Sequence, residues 1–328
     1  MNPKISIITP SFNQGEFIEE TILSVLEQDY PNLEFIIIDG GSTDNTLDVI
    51  EKYKSKIDHF VSEHDKGQSE AINKGLKKCN GEIITWICSD DLLLPGALRN
   101  AAQIFYDNPD AGMIHGKSIL FGKGKKDDIR GAQPKDLELR YFAVIPFPQP
   151  SSFFRKEITD KCGMLDDSLH FAMDYDLLIR VAGNYEIICC DHIFSKYRLH
   201  DESKTVKNLN SFAREWARVF SRFLRSVSNG QKWIAQIETL GIYHHESEMF
   251  TLQKRFTEKE LETIVLYFLH NQMICAYETL DTRMAAKIVK LIEKIDPHFS
   301  SESGARKIGM RSRFIPAFLL EKLRILSR

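Results

Sequence analysis

Glu82-Ile83-Ile84-Thr85-Trp86-Ile87-Cys88-Ser89 runs directly into Asp90-Asp91. The run is apolar, rich in β-branched residues and too short for a buried helix, so it predicts a buried strand. Two adjacent carboxylates at its C-terminal end raise each other's pKa unless a counter-charge is supplied. A hard divalent cation is one such counter-charge, and oxygen ligands beside phosphates suit Mg²⁺ or Mn²⁺. The competing reading is a solvated turn that caps a helix starting near Pro95.

Around this strand, β and α patterns alternate. Residues 5–9 predict a strand, and Phe17, Ile22, Val25 and Leu26 a helical stripe. Phe35-Ile36-Ile37-Ile38, within residues 34–39, is a continuous apolar run of the kind buried on both faces. A helix is expected over 44–53 with Ser42 or Thr43 as N-cap. A short strand over 59–62, helices over 69–78 and 95–106, and a strand near Met113-Ile114 follow. Repeated β-α units predict a mainly parallel, Rossmann-like sheet flanked by helices. Ligands of such sheets bind beyond the carboxyl ends of the strands. Thr9-Pro10-Ser11, Asp39-Gly40-Gly41-Ser42, Glu63 with Asp65, and Asp90-Asp91 all fall at those ends. Their convergence reads as a binding site.

Residues 121–145 are poorly patterned, with 122–128 reading as an exposed turn and its basic cluster as a solvated loop. A strand is expected over 150–155, a helix over 174–181 and a long strand from Tyr185 to Arg198. Beyond about residue 205 the pattern is helical. Phe212, Trp216, Val219, Phe220 and Phe223 form one core stripe, and Leu261, Ile264, Val265, Phe268 and Leu269 another. His244-His245 has no partner at ligand spacing and reads as structural or surface. Three regions result: 1–205 α/β, 206–303 a helical extension and 304–328 a basic amphipathic tail. In the tail, Arg306, Lys307, Arg311, Arg313, Lys322, Arg324 and Arg328 stand against Glu321 alone, interleaved with apolar residues. That mixture suits contact with an anionic membrane surface, and equally a helix docked on the protein.

A chain of 328 residues can bury a large core, and a formal net charge of −3 argues against nucleic acid or other general polyanion binding. Cys79, Cys88, Cys162, Cys189, Cys190 and Cys275 show no paired metal-ligand spacing and read as buried free thiols of a reducing compartment. The N-terminus shows no signal-peptide pattern, and no stretch is long enough to span a bilayer. The expected location is the cytoplasm, with the tail at the inner face of the cell membrane.

A sugar nucleotide presents a base, a ribose diol, a diphosphate and an anomeric carbon. Asp39 can accept from a base N–H, Asp90 from ribose hydroxyls, and Asp91 can hold a metal that bridges the diphosphate. One more carboxylate is needed to take the proton of an acceptor hydroxyl. Asp174 and Asp176 are the candidates, with an exposed cap as the alternative role of Asp174. His200, in a polar run ending a strand, is a candidate metal or phosphate ligand.

The ordered motifs of residues 5–205 resemble family 2 glycosyltransferases of the GT-A fold, in particular bacterial members that build polysaccharides. They are Ile8-Thr9-Pro10-Ser11-Phe12-Asn13, Ile38-Asp39-Gly40-Gly41-Ser42-Thr43-Asp44, the run Glu63 to Gly75, Ser89-Asp90-Asp91, Gln149-Pro150-Ser151-Ser152, Met173-Asp174-Tyr175-Asp176 and Arg198-Leu199-His200. The resemblance implies that Thr9, Pro10, Ser11, Asp39, Glu63 and Asp65 line a nucleotide pocket. It implies Asp90 on the ribose, Asp91 on the metal, His200 on the metal or diphosphate, and Asp174 as general base of an inverting displacement. Many members carry Glu where this chain has Met173.

The expected function is therefore Mn²⁺- or Mg²⁺-dependent transfer of a hexosyl or N-acetylhexosaminyl group. The donor is a nucleotide sugar, with UDP the expected nucleotide. The acceptor is a saccharide or lipid-linked saccharide in surface polysaccharide synthesis. The rivals are a nucleotidyltransferase that makes a sugar nucleotide, and a catalytically silent nucleotide-sugar-binding protein. The first needs a glycine-rich basic phosphate loop after the first strand, which Phe12-Asn13-Gln14-Gly15 does not supply. Intact Asp91, Asp174 and His200 argue against the second.

Overall fold

Ile5–Ser11 (β1), Leu33–Asp39 (β2), His59–Ser62 (β3) and Ile83–Trp86 (β4) lie in the spatial order β3-β2-β1-β4, all parallel. The computed structural model describes residues 2–122, 126–131, 134–200, 208–245 and 248–315. β1 and β4 are buried along their whole length, as continuous apolar runs require. Because the four strands are parallel, their carboxyl ends share one edge of the sheet.

Five further strands extend the sheet: Leu92–Leu93 (β5), Ala111–Phe121 (β6), Asp128–Arg130 (β7), Ser152–Arg155 (β8) and Glu186–Arg198 (β9). The order continues β4-β8-β6-β9-β5, with β7 paired to β6. β8 runs antiparallel to β4 and β6, while β6 and β9 are parallel. The sheet is thus parallel in its first half and mixed in its second. Helices Ile18–Leu26 (α1), Thr46–Tyr53 (α2), Gln68–Leu76 (α3), Ala97–Asp107 (α4), Leu137–Arg140 (α5), Glu157–Cys162 (α6) and Met173–Ala182 (α7) connect these strands. α1 buries Ile18, Ile22 and Val25 against a core that includes Ile5, Ile7, Phe35 and Ile37.

Two local expectations are corrected. α2 is capped by neither Ser42 nor Thr43. It begins after Asn45, and Asp44 Oδ1 accepts the Thr46 N–H at 3.0 Å instead. Ser42 and Thr43 are engaged elsewhere, with Asp39 and Asn13. Likewise Asp90-Asp91 does not cap α4, whose N-cap is Gly96. The pair does lie on a turn, closed by Asp91 N–H donating to the Cys88 carbonyl at 3.0 Å. Asp91 on that turn is buried, not solvated.

The chain forms two compact units, 1–135 with 146–206, and 136–145 with 207–328. The second contains helices Leu209–Ser226 (α8), Gln231–Glu238 (α9), Glu258–Glu278 (α10), Thr282–Ile295 (α11), Pro297–Glu302 (α12) and Ala305–Phe314 (α13). Its core holds both expected stripes, with Phe220 stacked on Phe268 at 3.8 Å between centroids. Phe212 and Trp216 sit at the half-buried end of the first stripe. A capping box between Thr257 and Glu260 starts α10. Residues 136–145, within the stretch whose sequence shows no clear pattern, group with this unit. Phe142 is fully buried there, 4.8 Å from the Phe256 ring and 5.3 Å from the Phe223 ring. Of the expected tail, 316–328 lie outside the described residues. Among the described residues no helix is long and apolar enough to cross a membrane.

Candidate active site

The loop after β1 is fastened to the loop after β2. Asn13 N–H donates to Ser42 Oγ at 2.8 Å, Gln14 N–H to Thr46 Oγ1 at 2.9 Å and Gly15 N–H to Asp44 Oδ2 at 3.0 Å. Asn13 Oδ1 in turn accepts the Thr43 N–H at 2.8 Å. These amides are committed to side-chain oxygens. The loop is therefore no phosphate cradle, which needs amides pointing at the ligand.

Inside this frame, Thr9 and Ser11 are buried at the end of β1. Among the described residues, Thr9 Oγ1 and Ser11 Oγ make no hydrogen bond. Buried hydroxyls usually find a partner, and leaving one unmade costs about 1–3 kcal/mol. Pro10 lies buried between them. Asp39, opposite Ser11 in the ladder, is fully buried. Its Oδ2 accepts Gly41 N–H (3.0 Å), Ser42 N–H (2.9 Å) and Ser62 Oγ–H (2.7 Å), and its Oδ1 accepts Ser42 Oγ–H. The first task of Asp39 is to shape this turn. A carboxylate offers about four acceptor sites, so Oδ1 is the oxygen with capacity left for a ligand N–H.

Asp65 lies beside the same turn, close enough that a Cβ at Gly40 would meet its Oδ2 at 2.8 Å. Burial raises its pKa, against a hydrogen bond from Gly67 N–H. Glu63 is turned toward Lys74, whose Nζ lies 2.9 Å away, and is half exposed. The structure thus groups Asp65 with Asp39 and gives Glu63 a surface ion pair.

At the end of β4, ligand-type atoms of Cys88, Asp90 and Asp91 lie within 4.8 Å of one another. Asp91 is completely buried. That burial, then the Asp90 charge, push its pKa well above the usual carboxylate range. Arg198 opposes the shift by donating its backbone N–H to Asp91 Oδ1 at 2.9 Å. The Arg198 guanidinium also donates to the Asp90 carbonyl at 2.9 Å and pairs with Glu20 at 2.9 Å. His200 Nε2 lies 3.0 Å from Asp90 Oδ2, and the ring packs 4.7 Å from Phe17. His200 therefore joins the cluster through Asp90. A buried carboxylate beside a second carboxylate, a thiol and an imidazole fits a divalent cation.

Cys88 is a functional candidate that the sequence reading passed over as a buried strand thiol. β4 ends at Trp86, and Cys88 is only half-buried, accepting from Gln68 Nε2 at 3.0 Å. The signal available was its position three residues before Asp91.

Asp174 enters from α7, where its Oδ1 accepts the Tyr175 N–H at 2.9 Å. The segment leading to it is mounted on α3. Ser69 Oγ donates to the Leu169 carbonyl. Asn73 Nδ2 donates to the Leu165 carbonyl at 2.9 Å and to Asp167, and Asn73 Oδ1 accepts the Leu165 N–H at 3.0 Å. α3 is itself pressed on β1. A Cβ at Gly75 would lie 2.5 Å from Ile8 Cγ2, so only glycine fits. The polar run Glu63 to Gly75 is thereby largely a mount. Asp176, the other candidate base, lies differently. It is buried and its Oδ2 pairs with Arg180, 2.6 Å and 2.9 Å from two guanidinium nitrogens. Gln149 Nε2 donates to the Trp86 carbonyl at 3.1 Å, which lays the Gln149–Ser151 turn across the end of β4.

A parallel sheet whose carboxyl edge gathers buried hydroxyls, Asp39, Asp65 and the Asp90-Asp91 pair has relatives. The profile described as glycosyl transferase family 2 matches residues 6–173. The chain belongs to that family. An uncharacterised glycosyltransferase of Rickettsia typhi is 29% identical over 306 residues, covering 88% of this chain and 87% of its own. Among solved structures, Staphylococcus aureus TarS 1-349 in complex with UDP-GlcNAc is similar at a TM-score of 0.61 and 17% identity, over 94% of this chain and 91% of that one. The mannosyltransferase PcManGT of Pyrobaculum calidifontis, in complex with GDP-Man and Mn²⁺, gives 0.57 and 18%, over 98% and 88%. At these identities the two structures speak to the fold alone.

Proposed function

We propose that this protein is an inverting, metal-dependent glycosyltransferase that moves a hexosyl or N-acetylhexosaminyl group from a UDP-sugar to a saccharide hydroxyl. The acceptor is a saccharide or lipid-linked saccharide of a surface polysaccharide. The reading rests on Asp91, a fully buried carboxylate beside Asp90 at the carboxyl edge of the sheet. Such a pair is expensive without a cation and useful with one. When bound, a divalent cation held by Asp91 with Asp90, Cys88 and His200 nearby supplies charge neutralisation for the leaving diphosphate.

The remaining work falls to the chain's own groups. Thr9, Pro10, Ser11, Asp39 and Asp65 enclose the nucleotide, with Asp39 Oδ1 accepting a base N–H. Asp90 accepts from the ribose. Asp174 takes the proton of the acceptor hydroxyl as its oxygen forms the new bond to the anomeric carbon. The bond from that carbon to the diphosphate breaks with its electron pair leaving on the phosphate oxygen. Attack opposite the leaving group inverts the anomeric centre. Support for UDP comes from TarS, crystallised with UDP-GlcNAc, and support for Mn²⁺ from PcManGT.

The test is release of the corresponding nucleoside diphosphate from a panel of UDP-, GDP-, CDP- and dTDP-sugars, with Mn²⁺, Mg²⁺ or EDTA. Release from a UDP-sugar that stops in EDTA and returns with Mn²⁺ or Mg²⁺ is expected. Full activity in EDTA would remove the metal from the reading. Pyrophosphate-dependent formation of a nucleoside triphosphate would replace it with the nucleotidyltransferase.

A further inference from the structure

Two helices of the second unit carry a surface that the sugar-transfer reading does not use. On α11, Arg283, Lys287, Lys290 and Lys294 are all exposed. Successive spacings of one helical turn place them on one stripe. Ala285, Ile288, Val289 and Ile292 are buried on the other side. α13 packs against α11 and exposes Arg306, Lys307, Met310, Arg311, Arg313 and Phe314. Arg306 Nε lies 3.6 Å from Glu293 Oε1, an ion pair across the seam between the two helices.

The chemistry of this face is one-sided. Residues 282–315 hold eight Lys or Arg and three Asp or Glu, in a chain whose formal net charge is −3. Among the described residues, Arg306 with Glu293 is the ion pair these eight cations make. Set among the cations, Met310 is 52% and Phe314 78% exposed, four residues apart on one face. Cations alone would suit any polyanion. Exposed Met and Phe between them suit a surface that is charged outside and apolar just beneath.

We propose that α11 and α13 form a docking face for an anionic lipid bilayer, with the cations on the headgroups and Met310 and Phe314 at the acyl boundary. Half of the cations lie on α11, so the face reaches well beyond the tail to which the sequence pattern pointed.

The experiment is flotation of the full chain with vesicles of phosphatidylcholine alone or mixed with phosphatidylglycerol, at low and high salt. Binding to the mixed vesicles only, weakened by salt, is expected. The triple variant K287E/K290E/K294E and the double variant M310S/F314S should each lower partitioning at least about tenfold. All five positions are exposed, so melting temperature and UDP-sugar hydrolysis should match the parent, which separates this proposal from the catalytic one. Equal binding to neutral vesicles, or no binding to either, overturns it. Should M310S/F314S float like the parent while soluble polyphosphate displaces the protein, the face recognises a polyanion and not a bilayer.

Discussion

Asp91 Oδ1 accepts the backbone N–H of Arg198 at 2.9 Å, joining the turn after β4 to the last residue of β9. Residues more than a hundred positions apart thus set one carboxylate. The bond orients Asp91 without neutralising it, because a backbone amide carries no net charge. The guanidinium of Arg198 is directed instead to the Asp90 carbonyl and to Glu20.

This separates the effect of Asp91→Asn on stability from its effect on turnover. The amide oxygen still accepts from Arg198, and the buried charge and its repulsion by Asp90 disappear. Without metal, the variant should melt at the same temperature as the parent or higher. Mn²⁺ affinity by titration calorimetry should fall more than about tenfold, and turnover by roughly 10²–10³-fold. A variant that melts lower and still binds Mn²⁺ normally would show that Asp91 serves the fold.

Asn73 offers a second separation. Its three hydrogen bonds hold the 165–167 segment that leads to α7. Asn73→Ala should cost about 1–3 kcal/mol of stability from lost buried hydrogen bonds. If the segment positions Asp174, kcat should fall while UDP affinity stays close to normal, and Asn73→Asp should not restore it, because its carboxylate still accepts from Leu165 N–H but faces the Asp167 carboxylate. Parallel loss of kcat and UDP binding would mean that α3 shapes the nucleotide pocket instead.

Glu34 should make stability depend on acid. Its burial disfavours the charge, but hydrogen bonds from Asn80, Ser6 and Lys4 outweigh it and pull the pKa down to about 2. The unfolded chain holds such a carboxyl near its ordinary value, about 4.3. The group therefore stabilises the fold above that value, and the stabilisation is lost as pH falls from about 5 toward 2. The contribution is roughly 3 kcal/mol at neutral pH. Glu34→Gln should lower urea stability at pH 7 and flatten the pH dependence in that window. An unchanged acid profile would place the sensitivity in another carboxylate.

The strands were legible because continuous apolar runs such as Phe35 to Ile38 have few other ways to be buried. The polar strand ends were legible because sheet topology alone brings parallel carboxyl ends together. What sequence could not supply was distance. Nothing in the spacing of Asn73 and Leu165, or of Asp91 and Arg198, announces a bond. Phe142 falls in a stretch without a legible pattern because its burial depends on Phe223 and Phe256, far along the chain. Cys88 was misjudged for a local reason: its apolar neighbours suggested that the strand continued, whereas β4 stops at Trp86 and the chain turns.

Asp174 and Asp176 share the first turn of α7 yet should fail differently when neutralised. Asp176 is buried and fixed to Arg180, whose Nη1 donates to the carbonyls of Cys162 and Gly163 and whose Nη2 donates to the Met164 carbonyl as well as to Asp176. Asp176→Asn leaves a largely buried guanidinium short of its counter-charge, with an expected stability loss of roughly 3 kcal/mol, the lower range for breaking such a pair. Its kcat at a temperature where the protein is folded should stay within about tenfold, because a base must reach the acceptor proton and this carboxylate is turned inward. Asp174 is less buried than Asp176, and its Oδ1 accepts the Tyr175 N–H at the start of the helix. Asp174→Asn should leave melting temperature and UDP affinity nearly unchanged and cut turnover by roughly 10²–10⁴-fold, the usual range for a lost general base. UDP-sugar hydrolysis without acceptor should suffer less, since water at high concentration needs less help than a single positioned hydroxyl. Steady-state kinetics and thermal melts on both variants decide the matter. Near-normal transfer by Asp174→Asn, with transfer lost in a folded Asp176→Asn protein, would reverse the assignment.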